Sequence, residues 1–158
     1  MTNERRVVVA VDESEQSFHA LRWAIDHVLR RESDTVTLLH VQQQATLYAG
    51  PAGPSYFVPS EVLRTFKERN DVVTRSVTLK AKDACDKARI ASMVRVAVGD
   101  PRDVICEQLE MLDADLLIMG SRGLSAIGRT FLGSVSDYCV NHAKCPVVVV
   151  RKDARAKQ

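Results

Sequence analysis

The feature that most constrains this chain is a repeated alternation between short runs of β-branched residues and longer amphipathic stretches. Such alternation is typical of βαβ units, in which each helix crosses over a parallel sheet. The runs are nearly continuous in apolarity, as expected for strands that are covered on both faces. We predict five strands, over residues 6–11, 35–41, 93–98, 115–119 and 146–151.

The stretches between the runs carry apolar residues at three- and four-residue spacing, which predicts helices. Asp100 and Pro101 are residue types favoured at the N-cap and at the first position of a helix. The predicted helices cover residues 14–31, 60–91 with a break near Asn70, 101–111, and from just after Gly133 to about Ala143.

Size and charge narrow the class of protein. With 158 residues, of which 46% are hydrophobic, we expect one domain over residues 1–158, with a core of about 5–152. The formal net charge of +2 gives no support for nucleic-acid binding, which needs a basic excess. The apolar run near the N-terminus is too short for a signal peptide or a membrane span, so we predict a cytoplasmic protein without membrane contact. The four cysteines show no C-x-x-C spacing, and we expect them to be reduced and packed.

Residues 42–59 interrupt the pattern with two Gly-Pro pairs and no usable apolar period. They predict a long flexible loop. Because this loop follows the second strand, it leaves the sheet at the carboxyl edge, where open α/β sheets bind ligands. We interpret it as a lid over that edge; the alternative is an insertion without a role.

The segment from Gly120 to Ser136 holds four of the seven glycines and joins a predicted strand to a predicted helix. Gly120 and Gly123 suit a turn whose N–H groups face a phosphate, since glycine lets a ligand approach the backbone. Gly133 and Ser134 then begin a helix whose N-terminal N–H groups also favour an anion. The two halves of the segment can therefore converge on one polyphosphate.

The spacing of these glycines differs from two common phosphate-binding patterns. The segment lacks the Gly-Lys-Ser/Thr of the P-loop and the three closely spaced glycines of the dinucleotide fingerprint. A purely structural interpretation stays open, in which Gly120 and Gly123 form a turn and Ser134 forms a capping box with Asp137.

The pattern Gly120-x-x-Gly123-x9-Gly133-Ser134, followed by Val135-Ser136, resembles the ATP-binding signature of the universal stress protein family. The similarity extends over nearly the whole chain, and residues 133–142 particularly resemble plant members. It also includes residues 9–14, His40-Val41, residues 99–101 and Cys145-Pro146. The resemblance implies an α/β, flavodoxin-like or Rossmann-like three-layer sandwich, with a five-stranded parallel sheet of order 3-2-1-4-5 and the ligand at the switch point between strands one and four.

The resemblance also implies a site for ATP, or ADP or AMP, with magnesium. Asp12 would accept hydrogen bonds from the ribose or help to hold the magnesium ion, Val41 would contact adenine through its backbone, and the glycine-rich segment would carry the phosphates. The implied site residues are Ala10, Val11, Asp12, Val41, Met119, Gly120, Arg122, Gly123, Gly133, Ser134, Val135 and Ser136.

Structural alternatives remain open at several of these positions. Asp12 also fits an N-cap with Glu15 completing a capping box, and Val41 also fits an ordinary core position. Arg122 and Arg129 offer forks of donors to a phosphate, but they equally fit solvated loop positions. Gly99 and Asp100 fit the edge of the site, or a simple turn and cap.

We predict an ATP-binding protein of stress response or signalling, in which the nucleotide orders the loop over 42–59 and changes partner binding. The sequence shows no assignable Ser/His/Asp set and no carboxylate paired with Asp12, which favours binding over turnover. Two alternatives are a slow ATPase or autophosphorylating enzyme, and a nucleotide-independent dimeric adaptor. The apolar run Val147–Val150 falls at a sheet edge in the implied order, and edges tend to pair. Members of the family that this chain resembles commonly form homodimers through that strand, which implies a homodimer here.

Overall fold

The computed structural model describes residues 4–44, 59–121 and 132–152. It contains one sheet in which every neighbouring pair of strands is parallel and the order is β3-β2-β1-β4-β5. The predicted sheet order is therefore confirmed. The strands are β1 (Arg5–Ala10), β2 (Asp34–Gln42), β3 (Ser92–Val98), β4 (Leu116–Gly120) and β5 (Val147–Val150).

Four helices connect or follow these strands in the described part of the chain. They are α1 (Glu15–His27), α2 (Ser60–Lys87), α3 (Pro101–Met111) and α4 (Ser134–His142). The predicted break near Asn70 is wrong, because α2 is one continuous helix. The Asn70 amide donates to the carbonyl oxygen of Gln43 over 3.1 Å, so its side chain leaves the helix and does not compete with the helix backbone.

The sheet forms the middle of three layers because successive residues of each strand point to opposite faces. On one face, Val7 and Val9 of β1 pack in a cluster with Leu21 of α1 and Val77 of α2. On the other face, Val8 belongs to a second cluster that also contains residues of α3 and α4. Burying each such side chain contributes about 1.5–3 kcal/mol, so these two clusters hold the helices on the sheet.

An ion pair closes the amino edge of the sheet. Arg5 Nε donates to Asp34 Oδ1 over 3.0 Å and Arg5 Nη2 donates to Asp34 Oδ2 over 2.7 Å, with the Asp34 side chain fully buried. Burial alone would raise the pKa of Asp34, but the hydrogen bonds from Arg5 and from the Arg30 N–H outweigh it and hold that pKa below its ordinary value. This pair lies at the opposite edge from the cavity described below.

The order reverses at β1, which has β2 on one side and β4 on the other. The chains that leave β1 and β4 therefore diverge and open a crevice at the carboxyl ends of these strands. Among the described helices, none has the length and apolarity that crossing a membrane requires.

Candidate functional site

A cavity of about 300 Å³ lies at this switch point, between the carboxyl ends of β2, β1 and β4 and the N-termini of α3 and α4. Its volume is at the lower end of the range for small-molecule sites. Two of the predicted site residues, Arg122 and Gly123, lie outside the described residues, as does Arg129. The other ten all line the cavity: Ala10, Val11, Asp12, Val41, Met119, Gly120, Gly133, Ser134, Val135 and Ser136.

Asp12 is held by two serines at the start of α1. Its Oδ1 accepts a hydrogen bond from the Ser14 N–H over 2.8 Å and another from the Ser14 hydroxyl. The Ser17 hydroxyl, which is buried, lies 2.9 Å from both the N–H and the carbonyl oxygen of Asp12. Both the backbone and the carboxylate of Asp12 are therefore fixed before any ligand arrives.

The interpretation of Asp12 as the N-cap of α1 is wrong. The N-cap is Ser14, whose side-chain oxygen accepts from the Ser17 N–H over 3.2 Å, and α1 begins at Glu15. Asp12 therefore lies two residues before the cap, at the rim of the cavity. Its carboxylate does not cap α1 itself but accepts hydrogen bonds from Ser14, the residue that does.

The N-terminus of α4 forms another wall. Its N-cap is Gly133, which provides no side-chain hydrogen bond, so the capping box of Ser134 with Asp137 is not formed. Asp137 instead donates its N–H to the Gly133 carbonyl over 2.8 Å, and the Ser136 hydroxyl donates to the same carbonyl over 3.0 Å. The first-turn N–H groups thus border the cavity without a capping side chain from the described residues, and they favour an anion.

The end of the cavity at β2 is apolar. Leu39 of β2 and Ile105 of α3 are buried, and half-buried Val41 of β2 completes the wall. Val41 both lines the cavity and packs against the core, so its two interpretations are compatible. A flat apolar group fits this end better than a charged one, because a charge would lose its hydration there.

Gly120 has a different structural role from the one its position in the glycine-rich segment indicates. It is the last residue of β4 and pairs with Val150 of β5. A Cβ atom at this position would lie 2.5 Å from the Gln16 carbonyl oxygen, so the close approach is to the backbone of α1. The glycine is therefore required by packing even without a ligand.

Six lining residues were missed by sequence reasoning. Ser14 and Ser17 belong to the α1 cap, Leu39 lies on the same side of β2 as Val41, and Gln43 directly follows the strand. A period-two extension from Val41 would have found the last two. The six are Ser14, Ser17, Leu39, Gln43, Pro101 and Ile105.

Gly99 and Asp100 form a turn and a helix cap, which is one of the two interpretations given for them. Gly99 has φ of +145°, and a Cβ there would lie 2.7 Å from Val104 Cγ2. The Asp100 side chain accepts from the Arg102 N–H over 3.0 Å, and Pro101 takes the first helical position. Hydrogen bonds from the Arg102 side chain and backbone lower the pKa of Asp100. Pro101 lines the cavity, whereas Gly99 and Asp100 are not among its lining residues.

Two residue types that often act in catalysis serve packing here. The His40 side chain is buried, with Nδ1 2.9 Å from the Val11 carbonyl oxygen. Cys139 is fully buried on α4, and burial, followed by the neighbouring Cys106 thiol, raises its pKa to about 12. The four cysteines form no disulfide in the structure, and Cys85 and Cys139 are buried.

The site therefore combines an apolar end at β2, a fixed carboxylate at β1 and a helix N-terminus at α4. Neighbouring strands are about 4.8 Å apart, so β2 and β4, which lie on either side of β1, are separated by about 10 Å. Among the described lining residues, Asp12 is the one ionisable side chain. Fold and cavity define a doubly wound α/β protein with a cavity at its topological switch point, where proteins of this class bind ligands.

Comparison with known proteins gives the family. The model of the Universal stress protein family matches residues 4–151. Two universal stress proteins from Arabidopsis thaliana, PHOS34 and PHOS32, are 37% and 36% identical to this chain over 93% of its length. The chain belongs to the universal stress protein family. It spans 62% and 64% of the length of these two relatives.

A solved structure extends the likeness to three dimensions. A universal stress protein family protein from Arabidopsis thaliana, crystallised with AMP bound, has a TM-score of 0.70 and 26% sequence identity. The match covers 98% of this chain and 95% of that one.

Proposed function

We propose that this protein binds an adenine nucleotide in the cavity at the switch point, with ATP as its ligand. The observation that carries the proposal is that the uncapped N-terminus of α4 and the fixed carboxylate of Asp12 border one cavity whose other end is apolar. The AMP complex of the related Arabidopsis thaliana protein supports the same ligand class.

The geometry favours one orientation of the nucleotide. The base lies against Leu39 and Val41, where apolar surface is available, and the phosphates lie at the first turn of α4. Asp12 lies between these ends at β1, where its carboxylate accepts hydrogen bonds from ribose hydroxyls. The reverse orientation would place phosphates in the apolar end and desolvate their charge.

The lining residues fit a magnesium ion that binds together with the nucleotide. In the described residues, no group of three or more His, Cys, Asp or Glu side chains is arranged to hold a metal ion. Mg²⁺ is commonly held by one or two carboxylates together with substrate phosphates, and Asp12 can supply one carboxylate. We therefore propose that magnesium binds with ATP and not before it.

Binding, and not turnover, is the proposed activity. Hydrolysis is faster when a general base deprotonates the attacking water, and Asp12 is the one ionisable side chain among the described lining residues that could do so. In our orientation, Asp12 either accepts from the ribose or holds magnesium with the phosphates, and neither role leaves it to deprotonate water. We propose that occupancy of the site signals to a partner in a stress response, with the predicted lid over 42–59 changing with the ligand; residues 45–58 lie outside the described residues.

Calorimetric titration of the purified chain with AMP, ADP and ATP, with and without magnesium, tests the proposal. Ser134 is exposed at the first position of α4, so Ser134→Asp adds a negative charge where we place the phosphates. The positive end of the helix dipole stabilises a carboxylate at this position, so we expect the variant to keep its fold. We expect saturable binding by the wild type and at least a tenfold loss of ATP affinity in the variant.

Ser60→Asp is the matched control. Ser60 is the exposed first residue of α2 and does not line the cavity, so the same substitution at the same helix position should leave affinity unchanged. The proposal is wrong if the wild type binds none of the three nucleotides at millimolar concentration, or if both variants lose affinity equally.

We further propose a homodimer through β5. This strand lies at the edge of the sheet and pairs with β4 along its inner side. The Pro146 and Val150 carbonyls accept from Leu117 and Ser121, over 3.0 and 3.1 Å. In a parallel ladder alternate residues bond to the same neighbour, so the backbone groups of Val147 and Val149 point outward. An isologous pair of edges would satisfy them.

Val149→Pro tests this dimer. Proline removes an outward N–H but no bond to β4, so the monomer should keep its circular dichroism spectrum while the dimer dissociates. Light scattering should report a dimer for the wild type and a monomer for the variant at the same concentration. A monomeric wild type, or a dimeric variant, would contradict the proposal.

We propose that residues 1–158 form one domain, which the family match over 4–151 supports. We also propose a cytoplasmic location, on the sequence argument given above.

A further inference from the structure

Gln43 is a polar side chain at the otherwise apolar end of the cavity. It lies two residues beyond Val41 and four beyond Leu39, and all three line the cavity. Leu39 is buried, Val41 is half-buried and Gln43 is exposed, so polarity and exposure increase together towards the rim. A base inserted against Leu39 and Val41 would leave one polar edge facing Gln43.

The backbone around Gln43 is tied to two neighbouring elements. The Gln43 carbonyl accepts from Asn70 Nδ2 of α2 over 3.1 Å. Gln42, the preceding residue, makes two further hydrogen bonds. Its Nε2 donates to Thr74 Oγ1 over 2.6 Å, and its carbonyl accepts from the Gly99 N–H over 2.9 Å. Hydrogen bonds to α2 and to Gly99 therefore fix the backbone that carries the Gln43 side chain.

The Gln43 amide makes no side-chain hydrogen bond within the described ranges, unlike that of Gln42. It is not needed to hold the fold and remains available to a ligand. A glutamine amide presents a donor and an acceptor side by side.

We propose that Gln43 reads the edge of the base and selects adenine. The amide oxygen accepts from the 6-amino group and the amide nitrogen donates to ring nitrogen N7, a pairing for which glutamine and adenine are complementary. A purine with a 6-oxo group presents an acceptor where adenine presents a donor, so one of the two hydrogen bonds is lost. This inference rests on the proposed nucleotide function and names the residue that sets its specificity.

The test compares AMP with IMP, in which the 6-amino group is replaced by a 6-oxo group. Affinities of both are measured by calorimetry for the wild type and for Gln43→Ala. We expect the wild type to prefer AMP and the variant to lose about tenfold of that preference, the lower part of the range for one amide–adenine pair, because Gln43 is partly solvated. Each ratio is taken within one protein, so a small change in overall affinity cancels.

Gln44→Ala is the matched control. Gln44 is the next residue, is also exposed and does not line the cavity, so this variant should keep the wild-type ratio. If the wild type binds AMP and Gln43→Ala keeps the same AMP-to-IMP ratio, the role of Gln43 is disproved while the proposed function stands. If the wild type binds neither nucleotide, the proposed function itself is wrong and this inference is wrong with it.

Discussion

A Cβ atom on Gly120 would lie 2.5 Å from the carbonyl oxygen of Gln16 and 3.0 Å from the N–H nitrogen of Ser17. The end of β4 and the first turn of α1 therefore touch through their backbones. This contact determines how closely α1 approaches the sheet, and α1 carries the serines that hold Asp12. The position of Asp12 in the candidate site thus depends on the close packing of α1 against Gly120.

Gly120→Ala should destabilise the protein by roughly 1–3 kcal/mol, because the added methyl group meets backbone atoms that cannot rotate away. It should also weaken AMP binding, since α1 must shift and carry Ser14 with it. Urea unfolding and calorimetry measure the two effects. Met119→Leu, which conserves volume at the preceding position, should cost less; equal stability of Gly120→Ala and the wild type would contradict the packing argument.

Ser14→Ala removes both the N-cap of α1 and a hydroxyl donor to Asp12. Loss of such a cap costs about 1 kcal/mol, so we expect a lower free energy of unfolding together with weaker AMP binding. Ser60→Ala provides the comparison, because Ser60 follows the N-cap of α2 and caps nothing. A variant that loses stability but keeps full affinity would show that Asp12 does not depend on Ser14.

Arg5→Met should destabilise the fold by about 3 kcal/mol at neutral pH, because it leaves the buried Asp34 carboxylate without its cation. The folded pKa of Asp34 lies below its unfolded value, so its contribution to stability is present at neutral pH and is lost as pH falls through the folded pKa. The difference in unfolding free energy between wild type and variant should therefore shrink in acid.

Arg6→Met is the control for this pair. Arg6 forms exposed ion pairs with Asp113 and Asp115, which contribute little because water screens them. If urea unfolding shows that Arg5→Met and Arg6→Met lower the free energy of unfolding equally at every pH, burial does not strengthen the Arg5–Asp34 pair.

Cys139 should resist alkylation in the native protein. Burial raises its pKa to about 12, so almost none of the thiol is ionised at pH 8, and its side chain is fully buried. Mass spectrometry after iodoacetamide treatment should find Cys139 unmodified in buffer and modified in denaturant. Native labelling as fast as that of the unfolded chain would show that α4 opens readily.

Much of the fold follows from the sequence because hydrophobic periodicity acts locally. Each of the five predicted runs matches a strand to within one residue at either end, and α3 has the predicted bounds of Pro101 and Met111. The sheet order was implied by the family resemblance and is confirmed by the strand pairing. Ten of the twelve predicted site residues line one cavity, and their binding of nucleotide stays a prediction.

Only the tertiary structure decided what several of these residues do. Asp12 and Ser14 are both good capping residues, and the point where the chain leaves β1 makes Ser14 the cap. Gly120 looks like part of a phosphate loop, yet its contact with Gln16 comes from a distant part of the chain. Local propensity acts over a few residues, whereas the positions of Asp12, Gly120 and Gln43 depend on which strands and helices pack side by side.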